Sequence, residues 1–246
     1  MRVVALIPAR MASSRFPGKP LARIHDRSML EYVFRAVNGA SGVTDVFVAT
    51  CDTEIVKEVA SFGGQTILTG SHHERASDRC AEALHLLEQS NHHYDVVVMV
   101  QGDEPMTHPE QLLEVLSPFS DNSVGVVNLY SSITIEEAVS KNAVKVVINR
   151  AGNAMYFSRQ PIPGSMVSPV APTGKQLGLI AFRTSKLKQF SLLAPTRYEV
   201  SESVDMLRFL EHGIPIRMQI TRHNTMAVDT ATDLEAVTLL IAPPNW

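Results

Sequence analysis

The chain has 246 residues, 45% of them apolar and 19% charged, with a formal net charge of −3. That size and composition suit one large α/β domain, or one domain with a sizeable excursion, and leave ample material for a core. The charge balance argues against a global basic field for nucleic acid, no apolar run approaches the ~20 residues that cross a bilayer, and the N-terminus lacks a signal-peptide pattern.

In chain order, strand-like apolar runs alternate with helix-like segments. Residues 3–7 read as a buried strand. A helical pattern follows from Ser28, with Met29, Leu30, Val33, Phe34 and Val37 on one face. A strand over 46–50, a helix near 54–60, a short strand over 65–68 and a helix over 78–88 come next. The run 96–100, "VVVMV", is continuous and β-branched, as in a parallel strand covered on both faces. This rhythm predicts a doubly wound, mostly parallel sheet.

The second half is less regular. Strands are predicted over 124–129, 144–148, 177–182 and 214–220. The stretch 159–175, "RQPIPGSMVSPVAPTGK", concentrates proline, glycine and serine and reads as a mobile loop. A helix over 202–211 stops at Gly213, and "ATDLEAVTLL" is helix-like. With no internal repeat and no linker, residues 1–246 form a single domain with an elaborated second half. Cys51 and Cys80 are too few for a disulfide framework and too far apart for a CxxC pair, so they read as reduced cytoplasmic thiols.

Ligands of doubly wound sheets bind beyond the carboxyl ends of the strands. Three polar segments fall at such ends. The first, "IPARMASSRFPGKPL", is neither GxGxxG nor GxxxxGK[ST]: Gly18 precedes Lys19, but no glycine stands upstream at the P-loop spacing. Arg10, Arg15 and Lys19 nevertheless put three cations on one loop, a set suited to a polyphosphate. The second, "QGDEP", places Asp103 just past a buried strand, and the third, "VDTATDLE", places Asp229 in a similar setting. Each aspartate also has a purely structural reading. Asp103 would cap a helix or sheet end, and Asp229 would stand near a helix N-cap with Asp233 solvated in the first turn. Joined, the two are oxygen ligands for Mg²⁺, which takes one or two carboxylates plus substrate phosphates. Cations for a triphosphate and carboxylates for Mg²⁺ point to nucleotidyl transfer.

Other residues read more plainly. The adjacent pairs His72–His73 and His92–His93 belong to surface loops rather than a zinc site. Met11, Met99 and Met206 are packing residues. Ser13 and Ser14 are phosphate or loop hydrogen-bond donors, since no His–Asp partner is visible to make either a nucleophile.

The segments "IPARMASSRFPGKPL", "VQGDEP", "NAVKVV", "YFSRQPIP" and "VDTATDLE" occur in the order found in the 3-deoxy-manno-octulosonate (Kdo) cytidylyltransferases, and the chain resembles that family from about residue 2 to residue 240. The first two motifs together are specific. The resemblance implies a Rossmann-like nucleotidyltransferase fold, residues 130–210 forming an acceptor-side and dimerisation excursion. It implies transfer of CMP from CTP to a sugar acid, with release of pyrophosphate, a need for Mg²⁺, and a cytoplasmic homodimer. Carried over by position, it makes Arg10, Arg15, Lys19 and Asp103 the catalytic set. Pro8, Ala9, Arg10, Ser14, Arg15, Lys19, Ser77 and Arg79 become nucleotide-side residues, and Asp103 and Asp229 the Mg²⁺ ligands. On the acceptor side it places Arg75, Gln101, Arg159, Gln176, Glu202 and Asp205, with Arg159 a candidate for the acceptor carboxylate.

The chain departs from the family at several of these positions. "RASDR" stands where the family commonly reads Ser-Gly-Thr before an acidic residue and Arg. Gln176 replaces a histidine, Asp205 and Met206 replace two polar residues, and Cys51 replaces an aspartate. Losing an imidazole and an amide removes hydrogen bonds from a polyol, and an unpaired buried hydroxyl is costly. Arg75 adds a cation unless it pairs with Glu74 or Asp78. The departures keep two alternatives open: cytidylylation of a smaller or more anionic acid such as a phosphonate, and a non-catalytic nucleotide sensor.

Overall fold

In the computed structural model, which describes residues 1–12, 16–164, 173–223 and 225–243, alternate residues of the first strand enter different cores. Along β1 (Val3–Pro8), Val3, Ala5 and Ile7 face one apolar cluster and Val4 and Leu6 the other. Such a strand needs helices on both sides. The short pair β2 (Arg23–Ile24) and β3 (Arg27–Ser28) leads into α1 (Met29–Asn38), whose N-cap Ser28 accepts the Glu31 N–H through its hydroxyl at 3.3 Å. There follow β4 (Asp45–Thr50), α2 (Thr53–Ser61), β5 (Thr66–Leu68), α3 (Ala76–Gln89), β6 (Val96–Val100) and α4 (Pro109–Leu116). The second half supplies β7 (Val126–Ser131), α5 (Ile135–Val139), β8 (Lys145–Ile148), β9 (Ala154–Ser158), β10 (Thr173–Arg183) and α6 (Thr184–Leu192). It ends with α7 (Arg197–Glu202), α8 (Met206–Glu211), β11 (Arg217–Ile220) and α9 (Ala231–Leu240).

The main sheet runs β11-β7-β10-β6-β1-β4-β5, with β8 paired to β10 and β9 to β8. Strands β5, β4, β1 and β6 are parallel, as are β7 and β11. The expected doubly wound, mostly parallel sheet is therefore present, with β10 inserted antiparallel to β6 and β7. One core packs α1, α2 and α4 against the sheet through residues such as Leu30, Val33, Ile55 and Leu112. The other packs α3, α6 and α8 through Leu84, Phe190 and Phe209. Each fully buried Val, Leu or Phe contributes roughly 1.5–3 kcal/mol, so the two cores fix the strand ends on which the site stands. The reversed strand matters most for function. Because β10 pairs Leu179 with Val100, its N-terminal half lies beyond the carboxyl end of β6.

Three expectations need correction. The helix read over 202–211 is two helices, α7 and α8, separated where Ser203 adopts a left-handed conformation (φ 54°) and caps α7 through its N–H to Glu199. The stop at Gly213 holds, with φ 70° after the C-cap His212. Strand β9 has no counterpart in the sequence reading, because Met155 points outward, 61% exposed, and breaks the apolar pattern. Lys175 belongs to β10 and not to a loop; of the segment 159–175, residues 165–172 lie outside the described residues.

Candidate active site

At the carboxyl ends of β1 and β6 the chain surrounds a cavity of about 730 Å³. The opening loop leaves β1 through Pro8 and Ala9, and the Ala9 N–H donates to Ala49 O on β4 at 3.0 Å. Asp52 accepts the Met11 N–H at 2.7 Å, and Gly18, at φ 72°, returns the chain by donating to Met11 O at 3.1 Å. A residue with a Cβ would be strained there. This closure carries Lys19 into the cavity. Ser14 and Arg15 lie outside the described residues.

Lys19 Nζ donates to Asp103 Oδ2 at 2.5 Å and to Val228 O at 2.9 Å, and it reaches Asp229 Oδ1 at 3.5 Å. The Val228 N–H in turn donates to Asp103 O at 2.9 Å. Two aspartates that the chain holds far apart therefore share one cation at the cavity wall. Asp229 stands, as expected, next to the N-cap of α9, which is Thr230. Asp233 is not merely solvated: its carboxylate accepts the N–H groups of Asp229 and Thr230 at 3.0 and 2.8 Å, fixing the turn that presents Asp229.

Glu104, buried beside Asp103, is a residue the sequence reading missed. Its Oε1 accepts the Gly178 N–H at 2.6 Å, while the Gln101 N–H donates to Gly178 O at 3.0 Å. A Cβ at position 178 would sit 2.7 Å from Glu104 Oε1 and 2.8 Å from Gln101 Cγ, so only glycine lets β10 approach this loop. Burial pushes the Glu104 carboxyl up to about 7; the Gly178 N–H opposes this, Asp103 adds to it and Lys175 opposes it. Gln176, further along the same wall, donates its amide to Asn128 Oδ1 at 2.7 Å. The Asn128 amide is itself fixed by carbonyls of Leu129, Leu177 and Leu179.

Arg10 is exposed at the rim of the cavity, its guanidinium 3.5 Å from His73 O. Arg79 lines the cavity but is almost fully buried and donates to Thr69 Oγ1 at 2.5 Å and Gly70 O at 3.3 Å, which makes it a brace for the loop after β5. Ser77 does not reach the cavity: it is fully buried and its hydroxyl donates to Asp205 at 2.9 Å. The rings of His72 and His73 do meet, 4.2 Å apart, because they sit in a loop and not on a regular element; His73 also pairs with Glu82.

Arg75, which also lines the cavity, does not pair with Glu74 or Asp78. It reaches inward to Ser203 Oγ at 2.9 Å and to the carboxylates of Glu199 and Asp205 at 3.6 and 3.8 Å. Burial pushes the Asp205 carboxyl up, against the pull of Arg75 and Ser77. Asp78 instead faces Arg208 at 3.0 Å. Arg208 also grips both oxygens of the fully buried Glu199 at 2.6 and 2.8 Å and stacks 4.0 Å over Phe190. Arg159 donates to the carbonyls of Glu202, Lys141 and Asn142 at 2.9, 3.2 and 3.4 Å. Glu202 is not part of the cavity wall; its carboxylate accepts the Arg159 N–H and the Ser158 hydroxyl, both at 2.8 Å.

Of the predicted site residues, Pro8, Ala9, Arg10, Lys19, Arg75, Arg79, Gln101, Asp103, Arg159, Gln176, Asp205 and Asp229 border one cavity, and Ser77 and Glu202 stand behind its wall. The chain carries this site on the carboxyl edge of a nucleotide-binding α/β sheet, and the family model for cytidylyltransferases matches residues 4–220, which makes the protein a nucleotidyltransferase. The 3-deoxy-manno-octulosonate cytidylyltransferase of Parabacteroides distasonis is 36% identical over 98% of this chain and 99% of its own. That of Syntrophobacter fumaroxidans is 41% identical over 98% of each. A solved structure of CMP:2-keto-3-deoxy-manno-octonic acid synthetase complexed with CTP is similar at a TM-score of 0.89, with 37% identity over 98% of both chains. The chain belongs to the cytidylyltransferase family, among the 3-deoxy-manno-octulosonate cytidylyltransferases. The resemblance read from its motifs is thereby borne out.

Proposed function

We propose that this protein transfers CMP from CTP to 3-deoxy-manno-octulosonate and releases pyrophosphate. The observation that carries the reading is the meeting of Lys19 with Asp103 and Asp229 in the cavity, in a chain whose relatives bear that activity in their names. The acceptor's anomeric hydroxyl attacks the α-phosphorus in line and gives up its proton to water, the bond from that phosphorus to the α–β bridging oxygen breaks, and pyrophosphate leaves with the bonding electrons. Catalysis of this kind rests on positioning and charge neutralisation, with no covalent enzyme intermediate.

The two carboxylates fit a divalent cation. One ammonium already contacts both, so their oxygens stand within reach of a shared cation, and an all-oxygen donor set suits Mg²⁺. When bound, Mg²⁺ supplies positive charge to the triphosphate. Lys19 adds an ammonium at the same point and Arg10 a guanidinium at the rim; Arg15 and Ser14, on the same loop, join them by motif. Pro8 and Ala9 border the nucleotide, with Arg79 bracing its loop. Gln101, Gln176 and Arg159 face the sugar acid, with Arg159 taking its carboxylate.

Neither alternative is favoured. The extra charge that suggested a phosphonate is already shared by Arg75 with Glu199 and Asp205. A non-catalytic sensor has no support among relatives named as transferases. We further infer a homodimer, which the resemblance implies; the edge strand β9 exposes Met155, and helix α7 exposes Tyr198 and Val200. Light scattering on the eluting protein reads this directly. No helix among the described residues is long and apolar enough to cross a membrane. The reading places the enzyme in the cytoplasm, where CTP is made.

The deciding experiment supplies CTP, Mg²⁺ and the sugar acid to purified protein and follows pyrophosphate and product mass. Stoichiometric pyrophosphate with the CMP-linked acid is expected. No pyrophosphate under conditions where CTP binds contradicts the reading.

A further inference from the structure

Lys145 opens β8 in the middle of a three-stranded patch, opposite Ser158 on β9 and Lys175 on β10. It is fully buried. A buried ammonium is tolerated only when its protons find acceptors. Here all three do, and all are main-chain carbonyls: Arg159 O at 2.6 Å, Ser140 O at 2.7 Å and Ala143 O at 2.8 Å. A neutral amine would turn a lone pair toward one of those oxygens, so the arrangement is built for the charged form.

The same short loop serves a second cation. Residues 140–143 give their outer carbonyls, from Ser140 and Ala143, to Lys145, and their inner ones, from Lys141 and Asn142, to the guanidinium of Arg159. Lys145 therefore acts on Arg159 twice. It holds that residue's own carbonyl, and it shapes the loop against which the guanidinium lies. Ser140, Asn142, Ala143 and Arg159 all border the cavity, whereas Lys145 does not.

We propose that Lys145 is a positioning residue that sets Arg159 at the acceptor end of the cavity. This rests on the reading of Arg159 as the partner of the acceptor's carboxylate. Removing the ammonium leaves three carbonyls without a donor, frees the 140–143 loop and lets Arg159 drift, and misplacement of about 1 Å at a binding group is enough to lower catalytic efficiency about a hundredfold.

The test compares Lys145→Met with Arg159→Ala in the full chain, measuring KM for 3-deoxy-manno-octulosonate and for CTP with Mg²⁺ present. Both variants should raise the acceptor KM roughly tenfold or more, with the CTP KM changed about twofold or less. An unchanged acceptor KM in Arg159→Ala overturns the reading of Arg159. A raised value there with an unchanged one in Lys145→Met overturns the positioning role alone. Equal loss in both KM values in Lys145→Met marks a merely structural lysine and also overturns it. Should Lys145→Met fail to fold, the wild-type protein answers through the ¹⁵N resonance of its most protected lysine ammonium. With a non-hydrolysable CTP analogue bound, saturating acceptor is expected to shift that resonance, and an unmoved signal overturns the proposal.

Discussion

Lys19 Nζ lies 2.5 Å from Asp103 Oδ2 although 84 positions separate the two residues, and the same ammonium stands 3.5 Å from Asp229 Oδ1. Without it Asp103 and Asp229 lose the ammonium they share. Lys19→Met should lower folding stability by about 1.5–3 kcal/mol, the range for hydrogen bonds to charged groups. Added Mg²⁺ should then raise the melting temperature of the variant more than that of the wild type, because it replaces the missing charge. Thermal denaturation with and without Mg²⁺ checks both, and equal Mg²⁺ shifts would speak against a shared cation position.

Glu104 gives a pH signature. Its carboxyl is raised from an ordinary 4.5 to about 7, so the fold favours the protonated form. Its contribution to stability is complete below about pH 4.5 and is lost as pH rises through 7, an effect of up to about 3 kcal/mol. Glu104→Gln keeps an acceptor for the Gly178 N–H and carries no charge. It should flatten that part of the stability profile and gain stability at pH 8 relative to wild type. Urea unfolding in EDTA at pH 5 and pH 8 measures the slope; an unaltered slope in Glu104→Gln would be the contrary result.

Arg208 holds Glu199, the buried carboxylate that the cavity-lining Arg75 also contacts. Burial works against its charge, but its bonds to Glu199 and Asp78 keep its guanidinium above the ordinary range. Arg208→Met should cost up to about 3–5 kcal/mol, since the fully buried Glu199 is left with only the longer contact to Arg75, 3.6 Å away, and the Thr196 N–H. The double variant Arg208→Met/Glu199→Gln should recover part of that loss. Additive losses in a double-mutant cycle would show that the two are not coupled.

Arg75 stands nearer the cavity and shares its charge with Glu199 and Asp205. Arg75→Ala should weaken acceptor saturation several-fold more than CTP saturation. Steady-state KM values for both substrates decide this, and equal changes would place Arg75 outside the acceptor wall.

Legibility in the sequence followed burial. Strands β1, β4 and β6 are covered on both faces and so appear as unbroken apolar runs, and α1 announces itself through Ser28. Strand β9 hid because Met155 is exposed, and the break between α7 and α8 hid because a left-handed serine has no sequence signature. In the site, Asp103 was visible as a polar residue just past β6, whereas Asp229 follows no strand but stands in the turn before α9, and Lys19 lies well along the loop after β1; the three do converge. Ser77 and Glu202 were named by position in a motif, and position could not show that packing turns them behind the wall. Glu104 and Lys145 went unnoticed because their surroundings come from distant segments: Gly178 on β10 for one, the 140–143 loop and Arg159 for the other. A charged residue amid apolar neighbours was the signal available for Lys145.

Enzyme-bound Mn²⁺, followed by electron paramagnetic resonance in the presence of CTP, asks whether the two aspartates hold one metal. Asp103→Asn and Asp229→Asn should each weaken Mn²⁺ binding at least roughly tenfold while metal-free CTP binding changes little. Wild-type Mn²⁺ affinity in both variants would contradict a metal centre at this point of the cavity.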